Sequence, residues 1–72
     1  MIKITAPSHQ SIIIDLLNQK TFDHYTFNFI NKKNINLYFE VNGNQTQAAH
    51  LAKAIIENST FGKAIFFTIT IE

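Results

Sequence analysis

The segment from His24 to Val41 constrains the fold most, because apolar and polar residues alternate in two successive runs. Successive side chains of a β-strand point to opposite faces of a sheet, so each run predicts a strand with one apolar face. The polar stretch 31–34 between them predicts the turn of an antiparallel hairpin. This sheet is expected to be covered on one side only. The apolar positions are Tyr25, Phe27 and Phe29, then Ile35, Leu37, Phe39 and Val41.

A short strand and a helix are predicted before the hairpin. Ile2 and Ile4 alternate within residues 1–5 and predict the strand. Four apolar residues then fall in one stripe at helical periodicity and predict a helix over residues 8–20, with Thr5 or Ser8 as its cap. Three consecutive β-branched residues lower helix propensity, so a strand is the alternative for residues 12–17. The stripe consists of Ile12, Ile13, Leu16 and Leu17.

A second helix and a last strand are predicted after the hairpin. Asn42-Gly43-Asn44 ends the hairpin strand, and Asn44 or Thr46 can cap a helix over residues 46–58. Its small alanines allow the helix to lie close to the sheet. Residues 64–71 alternate again and predict a strand. Its inward residues are expected to be Ile65, Phe67, Ile69 and Ile71.

The predicted order is β-α-β-β-α-β in a single α+β domain spanning residues 1–72. Right-handed crossovers and a short hairpin favour a two-layer sandwich with both helices on one face of the sheet. The expected arrangement is the ferredoxin-like, split βαβ fold, with a four-stranded antiparallel sheet ordered 4-1-3-2. Many unrelated functions share this fold, so it implies no activity.

Composition excludes several classes of function. All six basic residues are lysine and the net charge is +1, which gives no long-range attraction to nucleic acid. The chain has no cysteine and no apolar run long enough for a membrane span. No secretory signal pattern opens the sequence, so we expect a cytoplasmic protein. The three histidines lack metal-ligand spacing and the five carboxylates are scattered, so we expect no metal, cofactor or catalytic activity.

An anion-binding site is a weaker hypothesis. In the predicted topology, the start of the first helix, the hairpin turn and the start of the last strand share one end of the sheet. A helix N-terminus favours anions, and lysines are near it. The alternative is that the lysines are a solubilising turn. The candidate residues are Ser8, His9, Lys32, Lys33 and Lys63.

The last strand predicts a contact with another protein chain. Residues 64–71 contain no charge and no proline, yet the topology places them at a sheet edge, where unpaired backbone groups favour pairing with another strand. We expect a homodimer or a docking module that binds a partner protein by β-augmentation. The contact residues are expected to be Phe66, Thr68 and Thr70, helped by Tyr38.

Two alternative functions remain open from the sequence. The uncovered face of such a sheet can bind single-stranded RNA through aromatic residues, and Tyr38 is suitably placed in the third predicted strand. The absence of arginine makes nucleic acid an improbable partner. Regulatory domains that sense small ligands share this element order, but they use a glycine-containing turn after the first strand. Residues 6–9 contain no glycine.

Overall fold

The computed structural model describes all 72 residues, and the predicted hairpin is its largest element. Strands β3 (Tyr25–Lys33) and β4 (Asn36–Val41) pair antiparallel. The turn is shorter than predicted, because residues 31–33 continue β3 and only Asn34 and Ile35 connect the strands. Asn34 has φ 58°, a left-handed conformation that asparagine tolerates in tight turns. Because Ile35 lies in this turn, it is exposed rather than buried.

A β-bulge interrupts the hairpin at Ile30. Phe29 pairs with Phe39 and Asn31 pairs with Tyr38, so Ile30 is an extra residue between two ladder pairs. The bulge shifts the alternation of β3 by one residue. Ile30 follows the core-facing Phe29, so it lies on the uncovered face and is 48% exposed, and the shift places Asn31 on the same face.

Helix α1 (Gln10–Leu17) is shorter than predicted, and residues 12–14 are helical rather than extended. Its N-cap is His9, with φ 60° and no side-chain capping bond, so neither Thr5 nor Ser8 caps it. Gln19, with φ 59°, reverses the chain after the helix. Helix α2 (Gln45–Glu57) is capped as predicted by Asn44, whose Oδ1 accepts from the Gln47 amide.

The prediction of a four-stranded sheet is corrected by a fifth strand. Residues 20–22, placed in the first helix and its exit by the sequence analysis, form β2 (Lys20–Phe22). With β1 (Ile2–Thr5) and β5 (Thr68–Ile71), the antiparallel sheet has the order β2-β3-β4-β1-β5. Strand β2 pairs with β3 on its outer side. The molecule is therefore an α+β domain with two helices and an open five-stranded sheet.

Strand β5 is shorter than the predicted strand over residues 64–71. The chain turns at residues 61–64 and reaches β1 only at Thr68, which pairs with Thr5. Ile65 is buried as predicted, and Phe67 and Ile69 are half-buried. Ile71, also predicted to be inward, is 49% exposed because no element covers the end of this edge strand.

A single hydrophobic core joins one face of the sheet to both helices. Residues opposite each other in β1 and β4, such as Ile2 and Phe39, are completely buried. The Phe29 and Phe39 rings meet edge to face with centroids 5.5 Å apart. The other face of the sheet carries mostly polar side chains, with Ile30 and Tyr38 among them. The remaining fully buried core residues are Ile4, Ala6, Ile13, Leu17, Phe27, Leu37, Ala48, Ala52 and Ile56.

A strained two-residue turn joins β2 to β3. Asp23 and His24 have φ 48° and 72°, the left-handed conformations of a type I′ hairpin turn, which normally favours Asn-Gly. The Asn42 side chain supports this hairpin, because its Oδ1 accepts from the Thr26 amide at 2.7 Å and its Nδ2 donates to the His24 carbonyl at 3.0 Å.

Replacing His24 with glycine is expected to stabilise the fold. Glycine adopts the left-handed region without the steric penalty of about 1–2 kcal/mol that an L-residue pays there, although it also loosens the unfolded chain. We expect a net gain of about 0.5–1 kcal/mol in the free energy of unfolding, measured in urea. The control is the same substitution at His50, on α2, which should destabilise the fold by about 0.3–0.5 kcal/mol, the difference in helix propensity between histidine and glycine. Equal effects at the two positions would contradict the turn assignment.

Candidate interaction surface

Strand β5 lies at one edge of the sheet and pairs only with β1. Its register sets Lys3 opposite Thr70 and Ile4 opposite Ile69. No strand or helix pairs with its other side. The sequence-based prediction that the last strand lies at an edge therefore agrees with the structure.

The register identifies which backbone groups of β5 face the free edge. The Glu72 amide donates to the Met1 carbonyl at 2.9 Å, at the end of the β1–β5 ladder. Hydrogen-bonded pairs alternate with non-bonded pairs in an antiparallel ladder, so Thr70 is also bonded to β1. Ile69 and Ile71 lie between these bonded positions. Their N–H and C=O groups consequently point away from β1, toward the free edge.

The predicted contact residues of β5 are all exposed. Thr68 and Thr70 lie on the uncovered face of the sheet, and Phe66, just before the strand, is 79% exposed. A shallow hollow formed by Thr5, Pro7 and Phe66 to Thr68 lies at this end of β5. A phenylalanine so exposed covers none of the core, and its ring is free to contact another molecule.

Tyr38 lies on the same face as the β5 residues but in a separate hollow. It is opposite Lys3, and Lys3 is opposite Thr70. Tyr38 is therefore two strand spacings, or about 10 Å, from Thr70 and farther from Phe66. Its hollow is lined by Met1, Ile30, Asn31, Lys33, Tyr38 and Glu72. The structure thus places Phe66, Thr68 and Thr70 along one edge of the uncovered face. Tyr38 lies on the same face, with Lys3 of β1 between it and Thr70.

A third hollow lies between α2 and β5 and was not predicted from the sequence. Ala49, His50 and Lys53 of α2 line one side, and Phe67, Thr68 and Ile69 line the other. The sequence spacing of Ala49, His50 and Lys53 places them on one face of α2. It does not show which strand this face meets. The hollow flanks the free edge on the core side of the sheet.

An ion pair crosses the uncovered face beside β5. The Lys3 ammonium lies 3.0 Å from Oε1 of Glu72. The hydrogen bond to Glu72 and its negative charge raise the pKa of Lys3 above its ordinary value of 10.5. A raised lysine pKa means that the pair stabilises the fold below the ordinary pKa and loses this contribution as the pH rises through the raised value.

Replacing Glu72 with glutamine is expected to lower the pKa of Lys3 toward 10.5, because the negative partner is removed. An NMR titration of the Lys3 side chain measures this shift. Glu57→Gln, on α2, is the matched control and should leave Lys3 unchanged. An unchanged Lys3 titration in Glu72→Gln would show that the pair does not form in solution.

The five residues predicted to bind an anion form no common site. Lys32 lies opposite the buried Leu37, whereas Lys33 lies opposite Asn36 of the uncovered face, so these side chains leave opposite sides of the sheet. The Ser8 hydroxyl is 2.8 Å from Nδ1 of His9. No hydrogen bond or ion pair joins Lys32, Lys33 or Lys63 to these two residues. Anion binding therefore stays a prediction without a formed pocket.

Comparison of this chain with protein-family models, curated proteins and solved structures gives no significant match. No three histidine, aspartate or glutamate side chains converge as metal ligands would. Neither helix has the length and apolar run that a bilayer crossing requires.

Proposed function

We propose that this protein is an assembly module that acts through protein contact rather than catalysis, and that it forms a homodimer through β5. The observation that carries the proposal is the free edge, at which Ile69 and Ile71 present unpaired backbone groups within the uncharged segment 64–71. Such an edge readily pairs with another strand.

The opposite edge of the sheet is better protected against pairing. Strand β2 has only three residues and begins with Lys20, whose ammonium donates to the Asp15 carbonyl at 2.6 Å. Short edge strands and lysine are common devices against edge-to-edge association. If β5 pairs only with another β5, the contact is isologous and closes as a dimer, whereas β2–β5 pairing would build an open filament.

A two-fold axis at Ile69 is the register that the free backbone groups favour. Antiparallel pairing about this axis makes Ile69 a hydrogen-bonded pair with its copy and sets Phe67 opposite the partner's Ile71. On the uncovered face, Thr68 lies opposite the partner's Thr70. Facing threonines are favourable cross-strand pairs, and the exposed Ile71 gains an aromatic neighbour.

The next possible register has its axis at Thr70 and is less favourable. It sets Thr68 opposite the partner's Glu72, a carboxylate already engaged with Lys3. Phe67 then extends past the end of the partner strand and gains no cover. The Ile69 register also brings the partner's Glu72 opposite a side chain, that of Phe66, so its preference rests on the core side, where Phe67 gains the partner's Ile71.

The area of this contact predicts a weak dimer. A stable interface buries about 800 Å² per partner, roughly a fifth of this molecule's 4423 Å² surface. A four-residue strand does not supply that area alone. The residues of α2 beside β5, which are Ala49, His50 and Lys53, and the exposed Phe66 must therefore contribute. Lys53 of each copy lies beside the axis, and its long side chain can keep the charge in water. We expect dissociation in the micromolar range.

Sedimentation equilibrium between about 1 and 500 μM, a range that spans typical weak-dimer affinities, tests the proposal. We expect a reversible monomer–dimer equilibrium. Molecular mass that stays at one chain throughout, or that grows without limit, contradicts it. Added salt should leave the dimer intact or strengthen it, because the flanking lysines repel each other.

RNA binding and small-ligand sensing, the two alternative functions, can be tested with the same samples. RNA binding on the uncovered face would appear as retention on polynucleotide resin that falls steeply with salt. A ligand-sensing domain would show a melting temperature raised by one metabolite of a panel. Either result with a strict monomer would replace the present proposal.

We propose that the architecture is the ferredoxin-like arrangement with one added edge strand. In support, β5, β1, β4 and β3 are successive neighbours, and β2 lies outside them. Strand β2 covers the edge of β3. The free edge of the sheet is then β5, which belongs to the uncharged segment 64–71.

A further inference from the structure

Asn42 and Gly43 lie outside the proposed interaction surface. The side chain of Asn42 supports the β2–β3 hairpin. Both ends of its carboxamide are held by the β2–β3 hairpin, through the Thr26 amide and the His24 carbonyl. Gly43 follows with φ 78°, and its position is packed against the Tyr25 ring. The pair is otherwise exposed to solvent.

We propose that Asn42 is a site of spontaneous deamidation, that the hairpin restrains the reaction, and that the reaction loosens the hairpin. The backbone nitrogen of Gly43 attacks Cγ of Asn42, forming an N–Cγ bond. The Gly43 nitrogen gives up its proton, the Cγ–Nδ2 bond breaks, and the NH2 group takes up a proton and leaves as ammonia, which produces a five-membered succinimide. Water then opens the ring at either carbonyl and produces aspartate or isoaspartate. The net reaction consumes one water and releases one ammonia.

Glycine makes the attack favourable at this position. It has no Cβ to obstruct the approach of its nitrogen to the preceding side chain, and its backbone reaches conformations that other residues avoid. Asn44 provides the comparison within the same loop, because the bulkier Gln45 follows it. Asn44 is also exposed, and once unfolding releases both side chains the residue that follows is the main difference between the two sites.

The hydrogen bonds of Asn42 oppose the reaction in the folded state. Cγ has to rotate toward the Gly43 nitrogen, which requires release of the Thr26 amide and the His24 carbonyl. Attack therefore follows local opening of the hairpin, and its rate in the native protein reports how often the hairpin opens.

The products affect the hairpin differently. Aspartate keeps an acceptor for the Thr26 amide, but it replaces the donor to His24 with a carboxylate oxygen. Two acceptors then face each other about 3 Å apart, a repulsive contact in place of a hydrogen bond. Isoaspartate inserts a methylene into the main chain between the Cα of residue 42 and Gly43 and leaves the carboxylate attached directly to that Cα, which displaces it from both partners.

The test incubates the intact chain at one mildly alkaline pH, folded in buffer and unfolded in urea. Mass spectrometry of peptides follows the replacement of NH2 by OH at each asparagine, and chromatography separates aspartate from isoaspartate. We expect Asn42 to react faster than Asn44 in the unfolded chain, and at least about tenfold more slowly in the folded chain than in the unfolded one. Reaction at Asn44 as fast as at Asn42, or equal folded and unfolded rates, would overturn the proposal.

Hydrogen exchange tests the consequence for the hairpin. In the purified isoaspartate form, exchange of the Thr26 amide is expected to be about fivefold faster or more, because one hydrogen bond is lost. The Asn42→Asp variant keeps the acceptor and should change Thr26 exchange less. Unchanged exchange in the isoaspartate form would show that Asn42 does not hold the hairpin.

Discussion

Phe39→Ala is expected to lose most of the stability of the fold. Phe39 is completely buried and packs edge to face on Phe29, so removal of its ring leaves a cavity at the centre of the core. Such substitutions destabilise by about 3–5 kcal/mol. A domain of this size has roughly 4–10 kcal/mol in total. Urea unfolding followed by circular dichroism should show a midpoint shifted strongly downward, or no folded baseline.

The control is the same substitution at Phe66. This ring is 79% exposed, so Phe66→Ala should change the free energy of unfolding of the monomer by less than about 0.5 kcal/mol. Equal losses at Phe39 and Phe66 would mean that the strand faces are wrongly assigned. The comparison therefore tests which residues of β4, and of the segment before β5, face the core.

Ile71→Pro is expected to weaken association strongly while preserving the fold. The Ile71 N–H faces the free edge, so proline removes no hydrogen bond to β1, and such positions tolerate proline. In the dimer, each copy loses one donor and places a ring against the incoming strand. Loss of two bonds per dimer weakens association by at least about tenfold. Sedimentation and urea unfolding of the same variant separate the two effects.

Thr70→Pro is the matched control, one residue earlier in the same strand. The register bonds the Thr70 N–H to β1, so proline there removes an internal ladder bond and should destabilise the monomer by about 1–3 kcal/mol. The opposite result, with Ile71→Pro unfolding the chain and Thr70→Pro tolerated, would show that the free edge is assigned to the wrong backbone groups.

The parts of the fold with strong alternation were predictable from the sequence. Phe27, Leu37 and Phe39 are buried because period-two patterning places them on one face. Strand β2 was not predictable, since three residues are too few for a pattern. Its turn also lacks the glycine that marks a tight hairpin, and is instead supported by Asn42 from a distant part of the chain.

The candidate surface was predictable only where it depends on one strand. The uncharged sequence before Ile71 indicated an exposed edge, and Phe66 is exposed as expected. The hollow formed with His50 and Lys53 depends on how α2 lies against β5, which no local pattern specifies. Lys32 and Lys33 leave opposite faces because they are successive residues of β3, which extends through positions that the sequence assigns to a turn. The bulge at Ile30 decides which lysine lies on which face, and no residue type marks this bulge in the sequence.

Disulfide formation between introduced cysteines tests the proposed dimer most directly, because the natural chain has no cysteine. Thr68→Cys and Thr70→Cys chains, one labelled with nitrogen-15, are mixed and oxidised gently, and the products are weighed by mass spectrometry. In the Ile69 register, Thr68 lies opposite the partner's Thr70 in a non-hydrogen-bonded pair, with Cα atoms about 4.5 Å apart, within the range for a disulfide. Identical positions are roughly 8 Å apart, too far for a disulfide.

We predict that the mixed disulfide between the two variants dominates. A Thr70→Cys chain linked mainly to its own copy, or no disulfide above the level of an exposed Thr46→Cys control, would contradict it.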